Sequence, residues 1–147
     1  MFLHQLTKDN KLLTIKFHPY AERHFLKRFK KEYKGKQWEV TQDSIEQDLS
    51  RIKMDKSDLQ KSQQVDELWY NNGCWIFKYD FRVAKTNEST KSSGNRCIVF
   101  LNSKDNLIQI LVIFGKNDLP KNAGEQAYIK KTLTEEFSDI MEKTLSL

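Results

Sequence analysis

The ten residues Cys74 to Val83, CWIFKYDFRV, constrain the fold more than any other segment of the chain. Large apolar side chains recur at every second position: Trp75, Phe77, Tyr79, Phe81 and Val83. Lys78, Asp80 and Arg82 alternate with them, on the side shared by Cys74 and Ile76. A period of two belongs to a strand, whose successive side chains point to opposite faces of a sheet. One face of that sheet must be covered by another layer, and the other face carries three charges. Asn71-Asn72-Gly73, just before, is a tight-turn signal that ties this strand to a shorter one at Leu68 to Tyr70.

The neighbouring segments extend the pattern. Arg96 to Leu101 and Leu107 to Phe114 read as two more strands joined by Ser103-Lys104-Asp105-Asn106. Leu107 to Phe114 is apolar on both faces, as a central strand is. Residues 85–94, KTNESTKSSG, read as a polar loop. Upstream, Leu12 to Phe17 is a strand candidate that ends at His18-Pro19, where His18 can cap a helix and Pro19 can open it. Ala21, Phe25, Phe29 and Tyr33 follow at i, i+4 spacing, and Gly35 is placed to end that helix. A second helix, capped by Thr41 or Asp43, is expected through Ile45, Leu49 and Ile52; residues 53–65 read as a loop. The last helix is expected from Glu125 to Leu145, with Ile129, Leu133, Phe137, Ile140 and Met141 inward. Runs of helices beside a meander of strands define an α+β fold, with helices packed on one face of the sheet.

At 147 residues the chain suits one domain. Aromatic residues make up 12% and charged residues 31%, which excludes a disordered chain and predicts an aromatic-rich core beneath a charged surface. Cys74 and Cys97 form no disulfide framework or C-x-x-C pair. Residues 1–17 hold no continuous apolar stretch of the secretory kind, and Leu107 to Phe114 is far shorter than the ~20 residues a membrane helix needs. A cytoplasmic protein with reduced thiols and no membrane partner is expected.

The net charge is +5, unevenly spread. Residues 1–40 hold ten Lys or Arg and four acids, whereas residues 117–147 hold four Lys and six acids. A basic N-terminal part favours polyanionic partners. Arg23, Lys27, Lys30 and Lys34 recur along one helix face, which reads either as an ordinary solvated surface or as a set of phosphate contacts.

Phosphate-binding glycine loops, zinc spacings, H-E-x-x-H and G-x-S-x-G are all missing from the chain. His4, His18 and His24 have spacings that place them on no common helical face. No metal and no cofactor are therefore expected. The charged strand face, Lys78-x-Asp80-x-Arg82, has Arg96 opening the next strand and Lys116 following the one after. That set reads as a solvated sheet face or as a cationic floor that stabilises charge on phosphorus.

These segments resemble the RelE/ParE superfamily of toxins from type II toxin–antitoxin systems, above all its RelE- and HigB-like members. The resemblance rests on FKYDFRV (77–83), GNRCIVF (94–100) and ILVIFGKN (110–117) within the order β-α-α-β-β-β-α, and it spans residues 12–34, 74–83 and 94–137. It implies a single RelE-like domain over residues 1–147, with an antiparallel sheet of about four strands, two N-terminal helices on one face and a C-terminal helix. It further implies a ribosome-dependent mRNA endonuclease, an mRNA interferase, which stops translation by metal-independent attack of a 2′-hydroxyl on the adjacent phosphate. Lys78, Arg82, Arg96 and Lys116 would be its catalytic cations, and Arg23, Lys27, Lys30 and Lys34 its RNA contacts. Its implied partners are a cognate antitoxin, the ribosome and mRNA. Asp80, Phe114 and Asn117 stand where family members carry Lys, Tyr and Arg, and Tyr128 is the one substitute for a missing general base. Two alternatives stay open: a ParE-like gyrase inhibitor, and a catalytically inactive module that binds RNA or a partner on the same scaffold.

Overall fold

The computed structural model describes residues 2–6, 12–52 and 65–145. The chain begins with two strands, β1 (Phe2–Leu6) and β2 (Leu12–Phe17). A helix, α1, follows as three continuous segments: Pro19–Ala21, a π-helical turn Glu22–Leu26, and Lys27–Glu32. Helix α2 (Lys36–Ser50) comes next, then strands β3 (Val65–Asn71), β4 (Cys74–Phe81), β5 (Asn95–Asn102) and β6 (Leu107–Phe114). A 3₁₀ turn at Lys116–Asp118 leads to α3 (Glu125–Glu136) and α4 (Ser138–Leu145).

The α+β class holds, but the sheet differs from the expected four antiparallel strands. It has six, in the order β1-β2-β6-β5-β4-β3, and it is mixed, because β2 pairs parallel to β6. The β3-β4-β5-β6 meander is antiparallel, as read from the sequence. The parallel pair arises because the chain leaves β2 and crosses two helices and three strands before β6 returns beside it. Local periodicity carries no information about such a distant neighbour. As the apolar pattern of 107–114 required, β6 lies inside the sheet, between β2 and β5.

Helices cover both faces of the sheet, not one. On the face of Tyr79 and Phe81, the Tyr79 hydroxyl donates to Asp48 of α2, and Phe81 meets Phe29 of α1 and Trp38 of α2. On the face of Lys78 and Arg96, both side chains reach Glu125 of α3, and Phe114 meets the Tyr128 ring edge-on at 5.2 Å. Seven of the eight residues of β4 are therefore buried, charged Asp80 among them.

Helix α1 starts as its sequence dictates: His18 Nδ1 accepts the Tyr20 N–H at 3.0 Å and Pro19 occupies the first turn. The π turn adds a residue to one turn and brings both Phe25 and Leu26 inward, beside Ala21 and Phe29. Helix α2 begins just after Gly35, several residues earlier than Thr41 or Asp43, and so buries Trp38 against the Phe29 ring. The C-terminal helix is two, broken at Phe137, whose buried ring packs edge-on against His18 and Tyr20. Of the loop or frayed helix end expected at 53–65, residues 53–64 lie outside the described residues, and Val65 opens β3. No helix among them is long and apolar enough to cross a membrane.

Candidate functional site

Antiparallel pairing sets the site. Asp80 faces Arg96 across β4 and β5, and Arg96 in turn faces Phe114 of β6. Lys78, two residues from Asp80, shares that sheet face. The structure thus brings together Lys78 and Arg96, as expected, but adds acids that the strand pattern alone did not place. Lys78 Nζ lies 3.2 Å from Glu125 Oε2 and 3.6 Å from Asp66 Oδ2. Arg96 Nε lies 3.0 Å from Glu125 Oε1 and 3.1 Å from Asp80 Oδ1. Two cations therefore meet three carboxylates, at side-chain exposures of 16% for Lys78, 12% for Arg96 and 6% for Asp80. Burial pushes the Asp80 carboxyl above its usual range, against the downward pull of Arg96 and Lys78.

Arg96 also organises the loop before it. Nη1 donates to the carbonyls of Thr90 (3.3 Å) and Asn95 (3.0 Å), and Nη2 to that of Lys91 (3.0 Å). With Nε on the carboxylates, most of the guanidinium's five donors are engaged. Ser93 adds a second tie, its hydroxyl donating to Phe81 O at 2.6 Å.

Arg82 and Lys116 are exposed. Arg82 follows the last β4 residue and, instead of sharing the Lys78–Asp80 face as the alternation suggested, lines a slot with Tyr79, Phe81 and Asp48. Lys116, just past β6, packs against Gly94. A Cβ at Gly94 would lie 2.7 Å from Lys116 Cβ, and Gly94 has φ +73°. Both facts favour glycine: it tolerates that backbone and leaves room for the lysine. Two exposed cations, Arg82 and Lys116, thus leave the sheet at the same end, where β4 and β6 finish and β5 begins.

The basic helix is anchored to the same end. Arg28 pairs with Asp118, just past Lys116, and Asp118 also accepts the Gly115 N–H at 2.7 Å. The Arg28 guanidinium lies 4.6 Å from the centre of the Phe29 ring. Arg23, Lys27, Lys30 and Lys34 are all exposed, and none of them is ion-paired with a described residue. They do not form one helix face as expected: α1 ends at Glu32, so Lys34 lies in the turn that follows, and the π turn Glu22–Leu26 shifts Arg23 out of phase with Lys27.

Tyr128, the one candidate base, is pushed up to about 12, chiefly by burial, and stays a phenol at neutral pH. His18 is occupied as the α1 cap. Sequence reasoning missed Glu125, which touches both Lys78 and Arg96. Its only local signal was a carboxylate in the first turn of a helix, which any helix favours. Cys74 and Cys97 are buried, and desolvation raises the Cys97 thiol, so it is held protonated. Among the described residues no group of three His, Cys, Asp or Glu is arranged to hold a metal ion.

No protein-family model, curated protein or solved structure matches the chain.

Proposed function

We propose that this protein is a RelE-like toxin that acts on RNA, a ribosome-dependent endoribonuclease held in check by an antitoxin. The observation that carries the reading is that two exposed cations, Arg82 just past β4 and Lys116 just past β6, leave the sheet at the same end. Arg28–Asp118 ties the basic helix to the same end of the sheet. A phosphate backbone crossing this end of the sheet would meet Arg82 and Lys116, and charge that builds on phosphorus would be met by cations already in place. Arg96 then positions the loop and Glu125 instead of touching RNA. Glu125, held between Lys78 and Arg96, is the acceptor we assign to the 2′-hydroxyl proton. The attacking 2′-oxygen bonds to phosphorus as its proton passes to Glu125, the bond from phosphorus to the 5′-oxygen breaks, and that oxygen leaves with a proton from Lys116, giving a 2′,3′-cyclic phosphate and a 5′-hydroxyl end; Lys78 offsets charge that builds on phosphorus.

One observation favours a second reading, a binding module without catalysis: the Arg96 guanidinium is engaged by the loop carbonyls and two carboxylates. Cleavage of ribosome-bound mRNA by the purified protein separates the two. Cleavage that is lost in Glu125→Gln while RNA binding persists supports the enzyme; binding without cleavage in the parent protein supports the module. In cells, pulse labelling after expression is expected to show arrested protein synthesis. Arrested DNA replication with normal translation would point to the gyrase-directed alternative.

A further inference from the structure

On the opposite sheet face from the Lys78–Arg96 cluster, a slot of about 130 Å³ opens between α2 and β4. Ile45 and Phe81 are its apolar walls, Ser44 and Asp48 stand one helical turn apart on α2, and Arg82 lies at its rim. The Tyr79 hydroxyl donates to Asp48 Oδ2. Burial and the neighbouring Asp48 carboxylate hold the Tyr79 phenol well above its usual range, so it remains a donor and Asp48 remains the acceptor. Among the described residues the other carboxylate oxygen, Oδ1, has only the long 3.7 Å pair to Arg51, whose side chain is 73% exposed.

We propose that this slot is a base-binding subsite selective for cytosine. The inference rests on the RNA reading above and adds specificity to it, because Arg82 links the slot to the phosphate position. Size argues for one ring: the slot is close to the about 150 Å³ that holds a benzene-sized molecule, and it opens to solvent on one side, so a pyrimidine seats by one edge and a purine would protrude. Polarity argues for cytosine over uracil. A carboxylate accepts hydrogen bonds and cannot donate them, and cytosine offers its exocyclic amine where uracil presents a carbonyl oxygen. Ser44, with a hydroxyl that both donates and accepts, serves the adjacent ring edge.

The test uses the full chain and short single-stranded homopolymers of C, U and A, read by fluorescence anisotropy. The C polymer is expected to bind roughly tenfold tighter than the U polymer, the lower part of the range for a two-bond base contact. Asp48→Asn keeps an oxygen for the Tyr79 hydroxyl and turns an amide N–H₂ toward the slot, so preference should move toward U. Ser44→Phe, at an exposed helix position, should fill the slot and erase the discrimination. Equal binding of C and U by the parent protein, or an unchanged C preference in Asp48→Asn, overturns the proposal. In that event the RNA reading survives if Lys30→Ala/Lys34→Ala still weakens all three polymers. Absence of binding to any polymer overturns the subsite, and cleavage of ribosome-bound mRNA then decides the RNA reading separately.

Discussion

Arg96 Nε stands 3.1 Å from Asp80 Oδ1, directly across the β4–β5 register, in a site where both side chains are almost wholly buried. Removing the guanidinium leaves a desolvated carboxylate and three loop and strand carbonyls without their donor. Arg96→Ala should therefore cost about 3 kcal/mol, the low end for breaking a buried ion pair. Arg96→Lys should restore part of it, since an ammonium can meet the carboxylates but cannot span the carbonyls of Thr90, Lys91 and Asn95. Urea denaturation measures both; an unchanged midpoint for Arg96→Ala would remove its role as a staple.

Arg82 and Lys116 should behave in the opposite way. Both are exposed, so Arg82→Ala and Lys116→Ala should each change stability by less than about 0.5 kcal/mol. Each should slow cleavage of ribosome-bound mRNA by about 10²–10³, the usual loss for one donor to a developing charge. The rate in chelator should equal the rate in magnesium. Full activity in both variants would move the scissile phosphate elsewhere.

Gly94→Ala tests how Lys116 is seated. The new Cβ would sit 2.7 Å from Lys116 Cβ on a backbone with φ +73°. The expected loss is more than about 1 kcal/mol, because alanine is strained in that region and Lys116 must move away. Activity should fall with stability, and Gly124→Ala, where a Cβ meets nothing within 4 Å, is the control.

Lys30 and Lys34 are exposed and unpaired with described residues, so they offer charge to a polyanion at little cost to the fold. Changing both to Ala should reduce the slope of log affinity against log salt by roughly 0.7 per lysine for single-stranded RNA. Titration at several salt concentrations gives that slope. An unchanged value would make the stripe an ordinary helix surface.

His18 gives a pH dependence with a definite sign. Its pKa is lowered by burial first, and then by Lys16 and Arg23. The neutral ring also accepts the Tyr20 N–H as the helix cap. Above the unfolded value of 6.5 this stabilisation is fully present, and it is lost as pH falls through the lower folded value. His18→Asn retains a capping oxygen and has nothing to protonate there. Its melting temperature should therefore fall less than the parent's between neutral and mildly acid pH.

The strands of the meander, the α1 stripe and the separation of charged from apolar side chains along β4 were legible in the sequence. Each is local: a period of two or 3.6 follows from backbone geometry and which side chains seek burial. So were the companions Lys78, Arg82, Arg96 and Lys116, because a hairpin and a short loop bring their strands side by side. What only the tertiary structure decided is non-local. The parallel seat of β2 against β6 depends on a partner some ninety residues away, and β1 added a sheet edge that no alternation announced. The cover on the Lys78 face depends on α3 crossing the sheet, which brings Glu125 between two cations whose own strands gave no hint of it. A charged residue at a strand position reads the same whether water or a carboxylate will face it. Packing settles which, since a buried cation must be paired or its desolvation goes uncompensated. The sequence thus determined which residues carry charge at this end of the sheet, and the tertiary structure determined that Lys78 and Arg96 are held inside while Arg82 and Lys116 face solvent.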